Sequence, residues 1–210
     1  MDVKRLLPAS GVVFVALIAA TLLIGGSTPG DTASGSRLLS YYNAHQNRVF
    51  AAAFVLAAAM PFLIAFAASL ATRRTDDGRI GPWQLLLVAG SVVAAVGFGI
   101  TALLTLGLAD VPDKVSGNAL QAINVLNEST WVVFNSGLGV MMLGAAGTLL
   151  SRTAGQRWLG WVALALGIAL FIPFADFVGL LATGAWIIVT SVVELRSDRR
   201  VGLAASPGMA

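Results

Sequence analysis

Trp158 to Leu195 reads WLGWVALALGIALFIPFADFVGLLATGAWIIVTSVVEL, an almost wholly apolar run of 38 residues. An α-helix rises about 1.5 Å per residue, so one straight helix over this stretch would be about 57 Å long, nearly twice the roughly 30 Å hydrocarbon core of a bilayer. The run is therefore expected to fold as two spans, residues 158–172 and 177–195. The bend falls at Ile172-Pro173-Phe174-Ala175-Asp176, where proline lacks a backbone donor and disfavours helical geometry in the residue before it.

Working toward the N-terminus, four further apolar runs are each about 20 residues or longer: 6–24, 49–72, 83–108 and 131–150. Six spans put Lys4, Arg5, Arg73, Arg74, Arg79, Arg152, Arg157, Arg196, Arg199 and Arg200 on one side, against Arg37, Arg48 and Lys114 on the other. Lysine and arginine accumulate on the cytoplasmic side, so a division of ten to three places both termini there. Five spans would give seven against six, which is no bias. Lys4 and Arg5 ahead of an apolar stretch ending in Gly25, Gly26 and Ser27 also fit a secretion signal, but the run is long for that role and is read as a span.

Composition agrees: of 210 residues, 57% are hydrophobic and 11% charged, and mean hydropathy is +0.85. Soluble domains carry roughly 25% charged residues, so lipid is the expected surroundings. The net charge of +3 resides in short clusters at the ends of apolar runs, a topological pattern with no nucleic-acid patch in it. The absence of cysteine removes disulfides and thiolate metal sites, and a single histidine removes motifs that need two. No cofactor or metal is expected.

The reading is an all-α polytopic transmembrane bundle, one domain over residues 1–200 built as three consecutive hairpins, with residues 201–210 as a disordered tail. Two amphipathic outer segments precede spans 2 and 4. In the first, Leu38, Tyr42, His45 and Val49 share a face opposite Ser40, Asn43 and Asn47. In the second, Val115, Ala119, Ala122, Ile123 and Leu126 form an apolar stripe backed by Asn118, Gln121 and Asn124. Ser136, Gly137, Gly139, Gly144 and Gly147 make span 4 dense in small residues, which allow close backbone approach in lipid and place it centrally. Trp83, Trp131 and Trp158 open spans as interfacial anchors.

Tyr41-Tyr42-Asn43-Ala44-His45-Gln46-Asn47-Arg48, Ala119-Leu120 with Leu126-Asn127, Gln156-Arg157-Trp158-Leu159-Gly160-Trp161 and the stretch Trp186 to Val193 resemble a group of small multi-pass membrane proteins of actinobacteria that carry a domain of unknown function. The resemblance covers most of the chain. It implies six spans in a bacterial plasma membrane and assigns neither an activity nor a functional residue.

Few residues offer chemistry. The 15 residues before the bend reach only about 22 Å, so Asp176 is either an intramembrane acid or an N-cap in a wet turn. His45 fits an interfacial hydrogen bond, a proton relay with Asp176, or a metal ligand that would need Asp176 or Glu128 beside it. Asn135 and Ser136, with His45, raise a serine hydrolase, but Phe134-Asn135-Ser136-Gly137 is no nucleophile elbow and helix contact through Ser136 accounts for it. Asn127-Glu128-Ser129 matches a glycosylation sequon, and Gly97-Phe98-Gly99 lacks the rest of a dinucleotide fingerprint.

The leading expectation is a non-enzymatic protein that binds a lipid or small hydrophobic ligand, or a partner helix, in an outward-facing pocket lined by Tyr42, His45, Asn124, Asn135, Ser136 and Asp176. The bilayer, a membrane partner or a second copy of the chain are the partners foreseen. A proton- or ion-coupled transporter using His45 and Asp176 is the alternative, and a membrane-embedded enzyme stands third.

Overall fold

The computed structural model describes residues 7–72, 80–110, 114–151, 156–172 and 174–204, with no side-chain description at Asp176 or from residue 198 on. Pro173, residues 205–210 and the arginines of both inner loops up to Arg152 lie outside this description. Among the described residues there are seven helices and no strand: α1 Ala9–Gly25, α2 Gly35–Thr72, α3 Pro82–Asp110, α4 Gly117–Ser129, α5 Trp131–Leu150, α6 Arg157–Ala169 and α7 Asp176–Ala204. By length and composition, four stretches can cross a membrane: α2, α3, α4 with α5, and 177–197 of α7. The other two apolar helices, α1 and α6, have 17 and 13 residues.

Apart from the short α4, successive helices lean on one another in chain order, and α7 returns to pack against α1, closing the circle. The interior is filled with Leu63, Phe66, Leu70, Met141, Met142, Leu149, Trp186 and Ile187. The tightest seam lies between α3 and α5. A Cβ on Gly90 would collide with the Met141 amide, on Gly137 with that of Ala94, on Gly144 with that of Leu87 and on Gly97 with that of Phe134. The absence of side chains at these steps allows backbone to touch backbone, which recovers dispersion energy where lipid supplies no hydrophobic drive.

The first amphipathic segment runs on into span 2, in line with its helical pattern, and two other features differ from the sequence expectation. Segment and span form one continuous helix, α2, whose junction is marked only by non-helical angles at His45, φ −122° and ψ 17°. Nδ1 of His45 donates to the Tyr41 carbonyl at 2.9 Å. That carbonyl would otherwise serve the amide of residue 45 in the i to i−4 ladder, which accounts for the local break. At the other end of the chain, α7 runs helically to Ala204, into the segment read as tail.

The second difference is the rotation of α4. Its buried residues are Leu120 and Asn124, while Ala119, Ala122 and Leu126 of the expected inward stripe are exposed. A polar residue has displaced an apolar face, because Asn124 finds partners inside that no alanine could use.

Candidate functional site

At the end of the bundle that the charge pattern predicts to face outward, Tyr42 and Asn124 meet. Tyr42, 1% exposed, donates from its phenol to Oδ1 of Asn124 at 3.2 Å. Asn124 in turn donates from Nδ2 toward the carbonyls of Gly30, 3.3 Å, and Pro29, 3.5 Å. Tyr41 stands edge-on to Tyr42, donates to the Ser27 carbonyl at 3.0 Å, and stacks on the His45 ring with centroids 4.5 Å apart. The first half of α2 and α4 thereby hold down the α1–α2 connection.

Two more side chains complete the cap by satisfying helix C-termini, whose last carbonyls have no partner within the helix. Arg48 donates from Nε to the Ile24 carbonyl and from Nη2 to that of Gly25, 2.7 Å, at the end of α1. Gln46 donates from Nε2 to the Ala109 carbonyl at 3.0 Å, at the end of α3. A cation at a helix C-terminus also meets the favourable end of the macrodipole. Gly26, with φ +59°, is the residue that turns the chain under Arg48, and a Cβ there would run into the guanidinium.

Burial pushes the Tyr42 phenol up to about 12 from its ordinary 10.0, with smaller contributions from Tyr41 and the Glu128 carboxylate. The phenol therefore stays a donor throughout the physiological range.

Of the six residues expected to line a pocket, the structure brings Tyr42 and Asn124 together, and there they fill the space with their own contact. His45 is turned onto Tyr41. Ser136 donates to the Val132 carbonyl in its own helix at 2.7 Å, a use of its proton that leaves a nucleophilic role unsupported. Asn135 is buried with Oδ1 lacking a hydrogen-bond partner among the described residues. Asp176 begins α7, but its side chain lies outside the described residues. Among the described residues, no three His, Asp or Glu side chains come close enough to hold a metal ion.

Two features escaped the sequence reading. On α7, Thr183, Thr190, Ser191 and Glu194 are all buried, Glu194 being 4% exposed. At about 100° per residue, Thr183, Thr190 and Glu194 fall within about 20° of one line, with Ser191 beside it. The three hydroxyls have no hydrogen-bond partner among the described residues, and Gln156 Nε2 lies 3.5 Å from Glu194 Oε1. The signal was present in the sequence as polar residues spaced by seven and four inside an apolar run. The second feature is the outer side of α4, where Asn118, Gln121, Ala122, Val125 and Leu126 line a shallow groove.

No known protein-family model, curated protein or solved structure matches this chain. Its class rests on its own features: an all-helical bundle with four membrane-length helices, suited to contact with lipid, one end of which is sealed by a side-chain network among the described residues.

Proposed function

We propose that this is a six-span protein of a bacterial plasma membrane, akin to the small actinobacterial multi-pass proteins it resembles, with both termini in the cytoplasm, and that it binds a lipid-like amphiphile at its outer face without catalysing a reaction. Short α1 and α6 count as spans because each carries an apolar run ending at a basic cluster or an interfacial tryptophan.

The observation that carries the binding role is the outward face of α4. Leu126 is 60% exposed and Val125 lies beside it, with the amides of Asn118 and Gln121 on the rim of the same groove. This stripe runs on into exposed Trp131, Val132 and Val133 at the start of α5. An amphiphile laid there would set acyl chains on Val125 and Leu126 and a polar head against the amides, as interfacial helices do. The interior pocket foreseen between Tyr42 and Asn124 is occupied by their own hydrogen bond, which moves the site outward.

Native mass spectrometry of protein released from bilayers tests this. A retained lipid that is lost in Val125→Ser/Leu126→Ser is the expected result. An unliganded wild type overturns it, and a retained second protein chain would replace the lipid with a partner helix.

One observation favours the second reading, ion- or proton-coupled transport: the row of buried hydroxyls on α7 that leads to Glu194. On that reading the coupling residue is Glu194 rather than His45 or Asp176, and Glu194→Gln abolishes gradient-driven uptake in vesicles while the folded fraction is unchanged.

A further inference from the structure

The connection between α6 and α7 faces the same side as the cap and is built in the opposite way. Phe174 is 98% exposed, and Phe171, Ile172, Phe177 and Val178 around it are exposed as well. In water such an aromatic cluster on a loop would be an association hazard. Its depth answers the question.

Two independent estimates place it. From Trp158, beside Arg157 at the expected inner boundary, to Ile172 is fourteen steps, about 21 Å at the helical rise although α6 itself ends at Ala169, against a core of about 30 Å, which leaves the turn about 9 Å short. The second comes from α5. Gly160 stands against Leu150, Gly167 against Leu143 and Gly139 against Phe171, a fixed register in which each pair of residue numbers sums to 310. Phe174 is then level with Ser136, five residues or about 7.5 Å inward of Trp131, where α5 starts. Helix length and helix register agree.

The backbone agrees too. The amides of Leu170, Phe171, Ile172, Ala175 and Gly179 donate to the carbonyls of Leu166, Ile168, Ala169, Ile172 and Ala175, all within the turn and its flanking helices. Internal pairing of this kind is what a chain segment needs where no water reaches it.

We propose that the α6–α7 turn ends inside the outer leaflet, where Phe174 and Phe177 contact the acyl chains of phospholipid. Gly184 lies against Val15, so the eight residues back to Asp176 bring the start of α7 level with Leu23, an exposed residue on α1, and α1, which ends at Gly25, leaves the turn open on that side. That leucine and the exposed Val132 of α5 supply apolar flanks at the same end. The inference rests on the six-span placement and is independent of the α4 groove.

Because the chain has no cysteine, Phe174→Cys and Phe177→Cys each give one nitroxide site in reconstituted phosphatidylcholine–phosphatidylglycerol bilayers. Collision with oxygen, which concentrates in lipid, and with a water-soluble nickel chelate reads the depth, with Leu103→Cys as the lipid-facing reference and Ser116→Cys as the aqueous one. Oxygen-to-nickel ratios at both turn sites on the Leu103 side are expected. Ratios equal to that at Ser116 overturn the proposal, as do low collision rates with both reagents, which mean protein cover. Two turn sites guard against one variant failing to fold. An impermeant thiol reagent applied to Ser116→Cys and Ser197→Cys tests the six-span placement separately, so a wrong topology and a wrong depth give different results.

Discussion

The cap and the α6–α7 turn lie at the same end of the bundle and solve the same problem by different chemistry. In the cap, helix ends and a long connection are held by side chains: Arg48 on Ile24 and Gly25, Gln46 on Ala109, Tyr41 on Ser27, Asn124 on Pro29 and Gly30. In the turn the hydrogen bonds among the described residues are backbone to backbone, and the exposed side chains are those of Phe171, Ile172 and Phe174. Polar side chains can be spent on carbonyls where a solvated headgroup layer receives their unused groups, whereas a segment in hydrocarbon must close its own ladder.

Alkali gives the largest test of that contrast. The Tyr42 value is raised in the folded protein, to about 12 from 10.0, so its contribution is complete below pH 10 and is lost as pH climbs through about 12. Ionisation removes the proton given to Asn124 and leaves two acceptors face to face. Tyrosinate absorbance should show one phenol titrating near pH 12 together with loss of the cap, read by proteolysis between α1 and α2. Cap opening well below pH 10 would break the comparison.

Arg48→Met comes next, at about 2 kcal/mol, because it strips two charge-assisted donors from the end of α1. Unfolding in mixed micelles measures it, and a neutral result would mean that water already serves those carbonyls. Tyr42→Phe should cost about 1 kcal/mol by the same assay, since Asn124 keeps its backbone acceptors. Smallest is Phe174→Gly. Phe174 has φ +74°, a left-handed conformation that strains any side chain by roughly 1–2 kcal/mol. With the ring facing only lipid, glycine should raise stability by up to about 1 kcal/mol. A loss instead would reveal a protein contact for the ring and sharpen the account of what lies above the turn.

The apolar runs were legible because span length is set by the bilayer, and helical periodicity correctly put Leu38, Tyr42 and Val49 on the inner face of α2. The small-residue density of α5 likewise announced its close approach to α3. What could not be read was any choice made by hydrogen bonds between distant residues. Asn124 turned α4 by pairing with Tyr42, 82 positions away, and periodicity alone assigns such a residue to the wet side. Arg48, an exception to the charge bias, is explained by carbonyls of α1 rather than by topology. Glu194 lies near the end of an apolar run, where pattern alone assigns it no role, and it is buried.

The contact of α7 with α1 joins segments that leave the ribosome far apart in time. Gly11 has Ser191, Ile187 and Phe66 where a side chain would stand, and two of those three belong to α7. A nascent chain stopped before Ile187 therefore lacks both α7 side chains that pack over Gly11. Closure of the seam between α1 and α7 is thus a late step of assembly, since every other helix precedes α7 in the chain.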